Sequence, residues 1–154
     1  MVGRAWIDDW NDIIRNVIFK DEELKSLMKL PQGTNIITFI DKYFIRAAYT
    51  TEVLTNETVR IVYGRISRGY ADNPYVTNNE LSFDIYVKNE ELHNVERDRL
   101  VFRTDLIAKR LIDLLTKQRY LGAYHFYVES EGEMGTSTIG YTRYNVTFSY
   151  KKTY

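Results

Sequence analysis

Two periods divide this chain. Between residues 95 and 117, Leu100, Thr104, Ile107, Leu111 and Leu114 recur at helical spacing, and Leu115 widens the stripe. That pattern belongs to an amphipathic helix. On both sides of it the period drops to two. Ahead of it, Leu81, Phe83, Ile85 and Val87 alternate with Ser82, Asp84, Tyr86 and Lys88. Behind it, Tyr144, Val146, Phe148 and Tyr150 alternate with Asn145, Thr147 and Ser149. Strict alternation marks strands with one buried face. Each has a companion, at residues 59–66 and 124–131. A strand pair, a long helix and a second strand pair predict an α+β fold. The expectation is a mainly antiparallel sheet of about four strands, with the helix packed on one face. Asn94 is the expected N-cap of that helix, and Gly122 stands shortly past its end.

The N-terminal third adds short helices. Trp6, Trp10, Ile13, Ile14 and Val17 make one apolar stripe, with Asp8, Asp9 and Asp12 in the first turns, where carboxylates favour the positive end of the helix dipole. A second helix follows, with Asp21 as N-cap, Leu24, Leu27 and Met28 as its stripe, and Pro31 and Gly33 as its end. Residues 35–48 fit helix by the spacing of Ile36, Ile40, Tyr43 and Phe44, yet are rich enough in β-branched and aromatic residues for a strand. They read as a mixed segment.

At 154 residues the chain suits one domain, expected to span residues 1–154, and only 2 Pro leave no proline-rich linker to divide it. With 0 Cys there is no disulfide framework, thiolate metal site or cysteine nucleophile. The 21 basic and 21 acidic side chains cancel, whereas dedicated nucleic-acid binders carry a basic excess. Asp8, Asp9 and Asp12 break up the first apolar stretch, and no apolar run reaches the roughly 18 residues of a membrane span. A soluble protein, without a standard export signal or a membrane contact, is expected.

Catalytic constellations are hard to find. The two histidines, His93 and His125, fall in different elements, and no His-x-x-x-His pair occurs. The glycine-rich residues 132–140 lack the Gly-Lys-Ser/Thr of a phosphate loop and join two strands. Glu129, Glu131 and Glu133 alternate, so their side chains should share one face. Such a row suits a hard cation or acid–base work. The plainer account, a solvated strand end that discourages aggregation or pairs with basic residues of a neighbour, is preferred. No enzyme activity, cofactor or metal is expected.

Three features point to assembly instead. Arg99, Arg103, Arg110 and Lys117 fall on one flank of the long helix, either as ordinary solvated charges or as a basic surface that meets an acidic neighbour such as the Glu129, Glu131, Glu133 row. Residues 67–80, with Arg68, Tyr70 and Tyr75, are long for a link between neighbouring strands and read as a docking arm that orders on assembly. The 13 Tyr suit half-buried sheet positions and interfaces alike.

The order and texture of these elements resemble the small tail-terminator and tail-completion (head-to-tail joining) proteins of long-tailed bacteriophages. The residues that carry the likeness are 81–91 (LSFDIYVKNEE), 98–115 (DRLVFRTDLIAKRLIDLL) and 141–154 (YTRYNVTFSYKKTY), and it covers most of residues 59–154. The resemblance implies a virion protein, assembled in the host cytoplasm, that forms a homo-oligomeric ring, typically of six copies. Such a ring stops polymerisation of the tail tube and offers the head its docking surface. Its partners would be other copies of itself, the tail tube protein and a head-side connector protein, with DNA passing through the lumen unread. A neck connector or a tube component is the near alternative. A non-viral module that binds peptides through a sheet edge, and a small hydrolase built on the glutamate row and His125, are the distant ones. On the ring reading, Arg103→Glu with Arg110→Glu should weaken the ring and spare the fold.

Overall fold

The computed structural model describes residues 6–46, 57–70, 73–93, 99–117, 124–136 and 139–152. Helix α1 (Trp6–Ile13) runs into a wider π turn (Ile14–Ile18), in which the Phe19 amide donates to the Ile14 carbonyl at 2.8 Å. Trp10, Ile13, Ile14, Val17 and Ile18 are its buried residues. Helix α2 (Glu22–Leu27) is capped as expected: the Asp21 carboxylate accepts from the Leu24 amide at 2.9 Å.

The end of α2 differs from the expectation. Lys29 adopts a left-handed backbone, φ 52°. Its amide donates to the Ser26 carbonyl and that of Leu30 to the Lys25 carbonyl, so the carbonyls of the last turn are satisfied before Pro31 and Gly33 are reached.

Residues 35–46 are mixed, as their composition suggested. Asn35 caps α3 (Ile36–Thr38) by accepting from the Thr38 amide at 2.8 Å. A π turn (Phe39–Tyr43) follows, and β1 (Phe44–Arg46) pairs parallel with the next strand. The rest of the segment, residues 47 and 48, lies outside the described residues.

Strand β2 (Val59–Tyr70) and strand β3 (Asn73–Lys88) form a long antiparallel hairpin. The loop expected at residues 67–80 is therefore corrected to paired strand. The ladder runs on through Ser67↔Asn79, Arg68↔Asn78 and Gly69↔Thr77, with an irregularity before Tyr70. Polar side chains did not prevent pairing, because the cross-strand ladder satisfies every second backbone group whatever the side chains are.

The long helix is shorter than its apolar pattern suggested. Helix α4 (Arg103–Thr116) starts where the Asp105 carboxylate accepts from the Phe102 amide at 3.0 Å. Leu100 lies ahead of it, 87% exposed, and does not pack on the sheet. The expected cap, Asn94, and the expected terminal Gly122 lie outside the described residues. Strands β4 (Tyr124–Met134) and β5 (Tyr141–Lys152) pair antiparallel.

The sheet has five strands, in the order β1-β2-β3-β5-β4. It is mainly antiparallel, and the added fifth strand is the three-residue β1. The final strand lies inside the sheet and β4 forms its edge. One face carries the core: Ile61, Leu81, Phe83, Ile85, Val146 and Phe148 of the sheet meet Ile107, Leu111, Leu114 and Leu115 of α4 and Trp10 and Ile18 near the N-terminus. Aromatic rings fill its centre. Trp10 lies 5.5 Å from Tyr63, ring centre to ring centre, and Phe44 lies 5.8 Å from Phe83.

Candidate assembly surfaces

The basic flank of α4 is largely committed inside the molecule. Arg103 is only 8% exposed. Its Nε donates to the Glu91 carbonyl at 3.0 Å and its Nη1 to the Leu27 carbonyl at 2.8 Å, which joins the end of α2 to the start of α4. Burial pulls the guanidinium below its usual range, and the charge of Glu91 opposes that. Arg110 grips Asp21 with two bonds, Nε to Oδ2 at 2.8 Å and Nη2 to Oδ1 at 2.6 Å, and reaches Glu23 at 3.2 Å. Lys117 pairs with Asp113, four residues back, at 2.9 Å. Arg99 is exposed ahead of the helix.

Arg103 and Arg110 are thus intramolecular clamps, and the expectation that reversing both would spare the fold is corrected. The helical wheel placed them correctly on one flank. It gave no sign that α2 covers that flank, because the contact joins residues far apart in the chain.

The glutamate row is also rearranged. In β4, Val128 pairs with Phe148 while Ser130 pairs with Thr147, so Glu129 is an extra residue, a bulge. Before the bulge, odd positions share the outward face: Tyr127 lies opposite Ser149. After it they share the core-side face: Glu131 lies opposite Val146 and Glu133 opposite Tyr144. The single face expected for Glu129, Glu131 and Glu133 is therefore corrected, since one added residue inverts the alternation. All three glutamates are exposed. Burial raises the Tyr144 hydroxyl pKa, and the charges of Glu131, Asp105 and Glu133 raise it further.

His125 pairs with Lys151 on the outward face, six strand residues from Glu131, about 20 Å away and across the sheet. Among the described residues, no group of three or more His, Asp or Glu side chains is arranged to hold a metal ion.

The sheet face away from the helices is polar and internally bonded. Arg143 Nε donates to Asp84 Oδ1 at 3.0 Å. Asn145 Nδ2 donates to the same oxygen and to Ser82 Oγ, each at 2.9 Å, and Thr147 Oγ1 donates to Asn145 Oδ1 at 2.9 Å. Burial lowers and the Asp84 hydrogen bond raises the Arg143 pKa, with a net rise. These polar side chains bridge β3 and β5, so the face is cross-linked by its own bonds.

Two sheet edges stand out, and nothing in the sequence marked them as edges. β4 presents its whole outer side, with Tyr127, Val128 and Met134 among its exposed apolar residues. On the other side, among the described residues, β1 pairs with β2 at residues 61–63. Beyond Asn79, the last residue of β3 that pairs with β5, β2 and β3 stay paired for three further rows, roughly 10 Å, while β5 and β4 stay paired for two, so the sheet parts there into two strand pairs. Arg68, Tyr70 and Tyr75 lie in the strands of the β2–β3 pair, not in a loop.

Among the described residues no helix is long and apolar enough to cross a membrane. No curated protein matches the chain. The model of the YomW family matches residues 7–150, from the first helix to the last strand. The chain therefore belongs to the YomW family.

Proposed function

We propose that this protein is a structural component of a phage particle, a ring at the head-proximal end of the tail tube that ends tube growth and docks the head. The observation that carries the reading is the strand pair of β2 and β3, which runs past the last row that β3 shares with β5. A strand pair that parts from the rest of its sheet is marginal by itself, so an isolated copy gains little by building it. It becomes useful when a neighbouring copy covers it. The layout of a strand pair, a helix on one sheet face and a second strand pair also supports the reading. A neck connector or tube component would use the same parts.

The test is the mass of the purified protein by light scattering on a size-exclusion column, with negative-stain images of the same peak. Closed rings of about six copies are expected. A one-chain mass at every concentration, with no rings in the images, overturns the proposal. Capture of an extended peptide by such a monomer would favour a peptide-binding module using the β4 edge.

A further inference from the structure

The sheet forks at the row of Asn79 and Tyr150, past which the β2–β3 and β4–β5 pairs share no ladder among the described residues. A strand pair alone is marginal, so side-chain contacts across the fork decide how firmly each pair is held. We propose that Arg65, Tyr150 and Trp6 form a latch that clasps the two pairs at this fork and ties their order to the seating of α1. The latch needs no neighbouring copy, so it stands apart from the ring reading.

Arg65 breaks the pattern of β2. Val59, Ile61 and Tyr63 point into the core, and Arg65 takes the next position on that face, opposite the buried Leu81. Its Nε donates to the Tyr150 hydroxyl. Tyr150 belongs to β5, with β3 standing between, so the bond crosses from one strand pair to the other. It is a charge-assisted bond. Tyr150 is buried, which makes loss of its donor costly.

Trp6, the first residue of α1, closes the latch. Its ring stacks on Tyr150, 4.6 Å from centre to centre with the planes 18° apart. The Arg65 guanidinium carbon lies 4.8 Å from the centre of the same ring. One indole therefore makes both the stack and the cation–π contact. Trp6 also stacks on Trp10 at 5.5 Å, and Trp10 is buried against Tyr63 and Phe83. The seating of α1 on the core thus sets whether the ring covers the bond. Linkage makes the effect mutual: lifting Trp6 loosens the fork, and a partner that orders the fork tightens α1.

Amide hydrogen exchange on the full chain tests the latch. Tyr150→Phe keeps the ring and removes the hydroxyl, whereas Trp6→Leu removes the covering ring. In each variant, residues 67–69 and 77–79 of one pair and 124–126 and 150–152 of the other should exchange at least about tenfold faster. Residues 59–61 and 85–87, at the far end of the β2–β3 ladder, should keep their rates. The double variant should exchange no faster than the faster single variant, because both changes undo one latch.

Unchanged exchange past the fork in Tyr150→Phe overturns the latch. An equal rise at both ends of the ladder overturns it too, since that marks a general loss of stability. Effects of the two substitutions that simply add overturn the tie to α1. If Trp6→Leu fails to fold, Trp6→Phe takes its place with the same expected direction.

Discussion

Asp21 does two jobs with one carboxylate. It caps α2 through the Leu24 amide and receives both bonds from Arg110, which pins α2 against α4. The Arg110 hydrogen bond, chiefly, holds its pKa below the ordinary value; burial opposes and the Leu24 amide assists. A carboxylate with a depressed folded pKa contributes stability above its unfolded pKa and loses it as pH falls through the folded value. Stability should therefore decline as pH falls below about 4, and Asp21→Asn should flatten that part of the profile. Asp21→Ala should cost about 2–4 kcal/mol, since it removes a cap and leaves a partly buried guanidinium with Glu23 as its remaining carboxylate partner. Arg110→Glu should cost a similar amount, read from the urea midpoint at neutral pH.

Lys29 offers a sharper comparison at the same scale. Its left-handed backbone favours glycine, and its ammonium pairs with Glu91. Alanine and glycine both delete the pair, but only glycine removes the backbone strain. Lys29→Gly should be more stable than Lys29→Ala by about 1 kcal/mol, measured as a shift in denaturant midpoint at constant slope.

Among the elements, α4 shows how far a periodic pattern can be followed. Leu100 continues the stripe of Ile107, Leu111 and Leu114 in the sequence, yet it lies outside the helix and is exposed. The cap decides the start: the Phe102 amide is satisfied by Asp105, and the Arg103 amide donates to the Leu92 carbonyl at 2.9 Å. Thermal unfolding should separate two positions of this stripe. Leu100→Ser should change stability by less than about 0.5 kcal/mol, whereas Ile107→Ala should cost about 2–5 kcal/mol. Strands mislead in a complementary way. The alternation in residues 81–88 and 144–150 identified the core-facing side chains, with Tyr144 only partly buried, because a pleated strand offers only two faces. In β4 a single bulge exchanged those faces, and side-chain chemistry carries no sign of where a ladder accepts an extra residue.

For the molecule as a whole, the α+β class and the helix on one sheet face were legible from 3.6- and 2-residue periods. So were the cap of α2 and the mixed nature of residues 35–46. These are local consequences of which residues sit three, four or two apart, and each segment carries them by itself. Strand order is different. That β5 inserts between β3 and β4, that β4 becomes an edge, and that β2 and β3 stay paired past the last row β3 shares with β5 all depend on which distant faces bury one another. The basic flank belongs to the same class: its charges were visible, but packing of α2 against α4 turned two of them into internal clamps. The sequence determined the period, burial side and capping of most elements, because backbone geometry reads those from near neighbours. Only the tertiary structure decided which edges stayed open and which charges were used up, because both are settled by contacts between residues far apart in the chain.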